Sequence, residues 1–193
     1  MSTPWLILIE SNTSGTGRLF ARAATQQGAR PILLTDDPSR YSYIDEEHLE
    51  ALQINTQDEE AVFDACMKMK CEEGVAGITS SSEYFILTAA ILASKLGLQG
   101  APPQVIRTCR DKHAQRVLLQ GAAVGIPAFR LAHSVKQALE AAADLGFPVV
   151  VKPVSGTGRA GVKLCSDSDE IVQHAEALLD QKLIERGLAI PRR

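Results

Sequence analysis

Gly146–Cys165 reads G-F-P-V-V-V-K-P-V-S-G-T-G-R-A-G-V-K-L-C, and the rest of the chain is read outward from it. Val149, Val150 and Val151 form a β-branched run between Pro148 and Pro153, followed by a block of turn residues. That pattern predicts a buried strand running into a tight loop. Lys152 stands at the mouth of the strand. Gly156, Gly158 and Gly161 let the backbone approach a ligand with its N–H groups bare, an arrangement that cradles phosphate oxygens without charged side chains. The same spacing satisfies G-x-G-x-x-G, but a dinucleotide fold needs a helix to open inside those glycines. Val162 to Cys165 alternates apolar and polar like a returning strand, so the element is predicted as a β-hairpin folding over a nucleotide. A kinase glycine loop is also a hairpin, yet the H-R-D and D-F-G signatures that go with it do not occur in this sequence.

Upstream of the hairpin, Ser134 and Gln137 have the spacing of a capping box for an alanine-rich helix that Gly146 closes. Phe129 to Leu131, behind Gly125-Ile126-Pro127, predicts a strand. Cys109-Arg110-Asp111-Lys112-His113, with Arg116 shortly after, opens a further helix with a charged pair at its start. Downstream, Asp167 and Glu170 predict the start of an amphipathic helix running to about Glu185.

The N-terminal half alternates strands and helices. Trp5 to Glu10 is an apolar strand, S-N-T-S-G-T-G a loop, and Arg18 to Gln27 a helix closed by Gly28. Ile32 to Thr35 is the next strand, and Pro38 to Glu50 a loop or short helix in which Tyr41 and Tyr43 are exposed or line a cleft. Leu52 to Asn55 reads as a brief strand. Thr56 with Glu59 reads as a capping box for a helix to about Glu72, and Val75 to Thr79 as a fourth strand. Ser80, Ser81, Ser82 and Glu83 follow at its carboxyl end, where they either cap the next helix, which reaches Leu96, or face a ligand. Leu98 to Pro103 reads as a short strand and turn before a helix with Pro103 in its first turn. Such alternation implies a mostly parallel sheet with helices on both faces. The boundary between a first domain, 1–102, and a second, 103–193, is placed here.

Composition excludes several classes. A net charge of −3 over 193 residues leaves no basic footprint for a nucleic-acid backbone, so any anion must be held locally. The four cysteines, Cys66, Cys71, Cys109 and Cys165, lack C-x-x-C spacing, and the chain opens without a basic-then-apolar leader, so a reducing cytoplasm is the expected setting. His48, His113, His133 and His174 have no metal-ligand spacing. The longest apolar run, Ile86 to Ala93, is far shorter than the ~20 residues of a membrane span.

A lysine ending a strand, then proline, then a glycine-rich hairpin resembles the ATP-grasp superfamily of carboxylate-amine and carboxylate-thiol ligases, here in G-F-P-V-V-V-K-P and G-T-G-R-A-G-V. Asp111-Lys112 with Arg116, about 40 positions before Lys152, also resembles the family. The resemblance implies an α/β protein: a Rossmann-like parallel-sheet domain that helps form the acceptor-substrate site, followed by the first, incomplete part of an ATP-grasp domain. It implies ATP held by Lys112, Lys152, Ser155, Gly156, Thr157, Gly158, Arg159 and Gly161. Many such loops carry Gly-Ser-x-Gly where this one has Gly158-Arg159-Ala160-Gly161, so Arg159 either grips phosphate through its forked donors or points to solvent. The adenine hinge, the acidic Mg²⁺ ligands and the acyl-phosphate site are expected beyond this chain. The chain alone is therefore expected to perform no ligation, and its uncovered apolar sheet face to favour a homo-oligomer. Dipeptide-forming amino-acid ligases, biotin carboxylase and carbamoyl-phosphate synthetase are the nearest comparisons, with small carboxylate and amine substrates.

Two other readings stay open at this point. One is a nucleotide-binding module without turnover. The other is an NAD-binding Rossmann domain using Gly15 and Gly17, with Asp36 or Asp37 on the ribose. Against the second, Phe20 occupies the third glycine position.

Overall fold

The computed structural model describes residues 3–156 and 160–180, together with the backbone of 184–185 and 188–189. The chain divides into two compact units, Met1–Arg107 and Thr108–Arg193.

The first unit is built on a parallel four-stranded sheet in the order β3-β2-β1-β4, with β1 at Trp5–Ile9, β2 at Arg30–Thr35, β3 at Glu50–Gln53 and β4 at Val75–Thr79. β1 is central because its W-L-I-L-I run is apolar on both faces, as a strand covered on both sides requires. Ile7, Leu8 and Ile9 are fully buried. Burying each side chain contributes ~2 kcal/mol. Helix α1 (Gly15–Gln26) starts inside the glycine loop, earlier than the expected Arg18, and the 3-10 turn Pro38–Arg40 and short α2 (Tyr43–Glu46) fill the connection to β3. Helices α3 (Glu59–Glu72) and α4 (Ile86–Lys95) flank β4 in the chain.

Several details depart from the sequence expectation. Tyr41 and Tyr43 are buried rather than exposed, packed edge to face at 5.8 Å within a core containing Leu8, Ala21, Leu33 and Leu49. Asp58, and not Thr56, caps α3 by accepting from Ala61 N at 3.0 Å, because the Thr56 hydroxyl is committed elsewhere. Leu98 to Pro102 forms no strand. It folds back on α4, with Leu98 N donating to Ala93 O at 2.9 Å behind the left-handed Gly97.

Thr56 is committed to Glu10, whose buried carboxylate gathers the carboxyl ends of the strands. Its Oε1 accepts from Thr35 Oγ1 at 3.0 Å, Asp36 N at 2.8 Å and Thr56 Oγ1 at 3.1 Å. Its Oε2 accepts from Tyr41 OH and, at 3.5 Å, from Arg40 Nη2. The Glu10 carbonyl takes the Ser80 hydroxyl at 2.7 Å. At the opposite end of the strands, the Arg30 guanidinium lies 3.7 Å over the Trp5 ring and pairs with Glu50 and Glu73 at 3.0 and 2.6 Å.

Helix α5 (Pro103–Arg110) runs across the division between the units. The second unit then contains α6 (Lys112–Gly121), α7 (Val135–Leu145), the antiparallel hairpin β5 (Val149–Val151) with β6 (Lys163–Cys165), and α8 (Ser168–Asp180). Ser134 caps α7 as expected, accepting from Gln137 N at 3.2 Å, and Gln137 returns to His133 N at 2.7 Å. Its core is Ala142, Cys165 and Ile171, with Ala138, Leu139, Val149 and Val151 against them. The hairpin is covered on one face only. Val150 and Leu164, paired across the ladder, are 57% and 58% exposed, which corrects the expectation of a buried strand. Phe129 to Leu131 forms no strand either; the Phe129 ring meets His113 edge-on at 5.7 Å instead. Helix α8 is described to Asp180, and Ile184–Glu185 pairs with Leu188–Ala189 as a further hairpin in place of the expected helical end.

The Glu10 hub has a measurable signature. Burial, then the hydrogen bond to Glu10, pushes the Tyr41 phenol from 10.0 up to about 12. The folded chain therefore keeps a proton that the unfolded chain loses, so this contribution to stability is complete below pH 10 and is lost as pH rises towards 12. Urea unfolding followed by far-UV circular dichroism should show the stability gap between wild type and Tyr41→Phe narrowing across that window. The buried Tyr43 phenol, also shifted upward, leaves a residual slope in both proteins.

Candidate functional site

In the first unit, β1 is flanked by β2 on one side and β4 on the other, which puts a topological switch point at the carboxyl ends of β1 and β4. Ser11 and Asn12 follow β1 there, and Ser80 to Ser82 follow β4. These groups bind one another. Ser11 Oγ lies 2.5 Å from Ser81 Oγ, Asn12 N donates to Ser81 Oγ at 2.9 Å, and Asn12 Nδ2 donates to Ser81 O at 2.9 Å. Ser80 and Ser82 are buried. The serines thus brace the loop after β1 as well as leading into α4, whose N-cap is Phe85.

Gly17 bears on the dinucleotide reading. A Cβ on it would lie 2.1 Å from Asn12 O and 2.5 Å from Tyr43 OH. The protein's own carbonyl and phenol fill the space that, in a dinucleotide fold, the second glycine leaves open for the pyrophosphate. Asp37 accepts from Ser39 N and the Ser39 hydroxyl, and Asp36 pairs with Arg40, so both acidic side chains that would hold a ribose have local partners.

In the second unit, the chain brings Lys112 to the glycine hairpin. Asp111 caps α6, accepting from His113 N at 3.0 Å and Ala114 N at 2.9 Å, and this fixes Lys112 at the first helical position. Lys112 N donates to Val154 O at 3.0 Å, and Lys112 Nζ donates to Gly156 O at 3.0 Å. An ammonium from one helix start and the first glycine of the loop, 44 positions apart in sequence, are thereby neighbours. Lys152 is exposed beyond β5, whereas Lys163 on β6 faces Glu170 at 3.5 Å. Ser155 and Gly156 are half-buried, and Gly156 adopts φ +120° with its Cβ direction clear to within 3.9 Å of Pro153. Thr157, Gly158 and Arg159 lie outside the described residues.

Gly161 closes the loop under a tighter constraint. It has φ +69°, and a Cβ there would come 2.7 Å from Leu178 Cδ2 and 3.2 Å from Pro153 Cδ. His174 Nε2 lies 2.9 Å from its carbonyl oxygen. The sequence reading passed over His174; the signal was its place in the Ile171, His174, Ala175, Leu178 stripe, which has the i, i+3, i+4, i+7 spacing of one helix face. Glu10 was passed over too, since a carboxylate at the end of an apolar strand gives no local sign of its partners.

Residues 111–192 match the family model of the carbamoyl-phosphate synthase L chain ATP-binding domain. In fold, the chain is similar to the L-amino acid ligase of Bacillus licheniformis, with a TM-score of 0.70 and 22% identity over 92% of this chain and 43% of that one. It is also similar to the N5-carboxyaminoimidazole synthetase of Staphylococcus aureus solved with ADP, with a TM-score of 0.72 and 18% identity over 91% of this chain and 46% of that one. The matched stretch holds both Lys112 and the glycine hairpin, the two parts of the sequence that resemble the ATP-grasp superfamily. ATP-grasp ligases couple bond formation to ATP, and the hairpin between Lys152 and Lys163 lies inside the matched ATP-binding region. The protein y4rH of Sinorhizobium fredii is 35% identical over 182 residues, which are 94% of this chain and 38% of that relative. The chain thus spans less than half the length of these ATP-grasp and rhizobial proteins. Among the described residues, no helix is long and apolar enough to cross a membrane.

Gly161→Ala should destabilise the second unit by about 1–3 kcal/mol, from the left-handed backbone and the overlap with Leu178. Pairing it with Leu178→Ala should relieve the overlap but not the backbone strain. Amide exchange at β6 and α8 checks this, with the double variant expected to exchange more slowly than the sum of the single effects predicts.

Proposed function

We propose that the chain carries the nucleotide-binding side of an ADP-forming ATP-grasp ligase that activates a small carboxylate for attack by an amine. The carrying observation is Lys112 Nζ on Gly156 O, which brings a cation to the glycine loop from 44 positions away in sequence. In this reading Lys112 and Lys152 neutralise phosphate charge, and Ser155, Gly156, Thr157, Gly158, Arg159 and Gly161 form the loop that closes over the triphosphate. A carboxylate oxygen attacks the γ-phosphorus, the bond to the ADP oxygen breaks, and an amine then displaces phosphate from the acyl phosphate. Electrostatic positioning carries such chemistry, and no side chain need act as a covalent nucleophile.

The ADP in the staphylococcal neighbour supports the nucleotide, and the L-amino acid ligase supports amino acids as substrates. Residues 1–102 are read as the Rossmann-like domain and 103–193 as the opening part of the ATP-grasp domain. Mg²⁺ would accompany ATP, sharing its phosphate charge. Among the described residues no three His, Cys, Asp or Glu side chains stand together as a metal set. The chain on its own is proposed to bind nucleotide without sustained ligation.

Calorimetric titration with ATP and Mg²⁺ tests the assignment. Lys112→Ala and Lys152→Ala should each weaken binding by about tenfold or more, the loss expected for a charged contact to phosphate. Lys163→Ala should stay within about twofold, because its partner is Glu170 and exposed pairs of that kind contribute little. Equal losses for all three lysines would count against the site. Substrate-dependent release of ADP by the 193-residue chain would refute the proposed lack of turnover.

A further inference from the structure

We propose that His174 is a positioning residue for the glycine loop, acting through the Gly161 carbonyl without touching the nucleotide. The inference rests on the reading of the hairpin as a nucleotide loop. Its ground is the seat that α8 offers: His174 Nε2 lies 2.9 Å from Gly161 O, and Leu178, one turn further along, occupies the place where a Gly161 side chain would stand. A carbonyl can only accept, so the imidazole must donate from Nε2. Polar and apolar contacts from one helix face therefore fix one peptide of the loop.

The platform itself is anchored. Ile171 on the same face of α8 is fully buried in the core with Ala142 and Cys165. At the helix start, Asp167 accepts from Glu170 N at 2.9 Å while Glu170 accepts from Ser166 N at 2.7 Å. His174 thus hangs from a helix that cannot shift without opening the core. At the far end of the loop, Lys112 holds the Gly156 carbonyl at 3.0 Å. Lys112 and His174 thus hold the carbonyls at the two described ends of the loop, and in the nucleotide reading it is the lysine that exchanges its carbonyl for a phosphate. The histidine clamp remains when ligand binds, so part of the ordering cost of the loop is met before binding.

Two variants and one spectroscopic measurement test this on the full chain. His174→Leu keeps much of the volume and removes the donor, while His174→Gln keeps a donor at the position of Nε2. Leu should weaken ATP·Mg²⁺ binding about fivefold, the effect of one neutral hydrogen bond, and Gln should restore it to within about twofold of wild type. Equal losses for Leu and Gln, or no loss for Leu, would overturn the proposal. Long-range ¹H–¹⁵N correlation on unliganded wild type should show neutral His174 as the Nε2–H tautomer; the Nδ1–H tautomer would overturn it irrespective of nucleotide and of how the variants fold. Wild type that shows the Nε2–H tautomer but binds no ATP would remove the nucleotide reading, and with it the role in binding, while leaving the clamp itself established.

Discussion

A single buried carboxylate holds the carboxyl end of the first unit's sheet together. Glu10 sits at the end of the central strand, takes donors from the residues that follow β2 and β3, and receives at its carbonyl the hydroxyl that follows β4. Its own backbone is in the left-handed region, at φ 38°, a conformation that costs a residue with a side chain about 1 kcal/mol or more. The hydrogen bonds offset that strain. A buried charge would be destabilising if left bare, but here five donors are aimed at it. Four strand ends that could splay are thereby tied to one point.

The second unit uses another device for a comparable purpose. It has a small core, and its hairpin is covered on one side only, so little apolar burial is available to order the loop between the strands. Local hydrogen bonds to carbonyls fix the two ends of that loop instead. Lys112 holds the loop at Gly156 and His174 holds it at Gly161, each from a helix whose start is capped by an aspartate, Asp111 for α6 and Asp167 for α8. The hairpin's contacts and the fold are coupled through those helix starts: the cap sets the helix, and the helix sets the donor.

The sequence disclosed what periodicity and turn chemistry encode. The parallel sheet, the hairpin, the Ser134 cap and the stop at Gly146 were all legible, because each depends on residues a few positions apart. What it concealed depends on distant partners. Tyr41 and Tyr43 look like surface residues in a polar stretch until Glu10 and Asn12, about 30 positions away, claim their hydroxyls. Thr56 reads as a cap until the same carboxylate takes it. Phe129 to Leu131 has strand composition, but the ring packs against His113 and no strand forms. In the hairpin, the glycines and Lys152 were visible in sequence, whereas the approach of Lys112 to Gly156 needed the fold, and His174 was hidden because a histidine in an apolar helical stripe has no meaning until its acceptor is known.

The stacking of Trp5 beneath Arg30 has an optical consequence. Trp5 is the only tryptophan in the chain, and all three tyrosines, Tyr41, Tyr43 and Tyr84, lie with it in the first unit. The second unit therefore contains no chromophore that absorbs appreciably at 280 nm. Intrinsic fluorescence reports on the sheet around β1 and is blind to the glycine hairpin, so an unfolding curve recorded that way would look two-state even if the hairpin unit had melted first. A tryptophan introduced at the exposed Val150 would give that silent half its own signal.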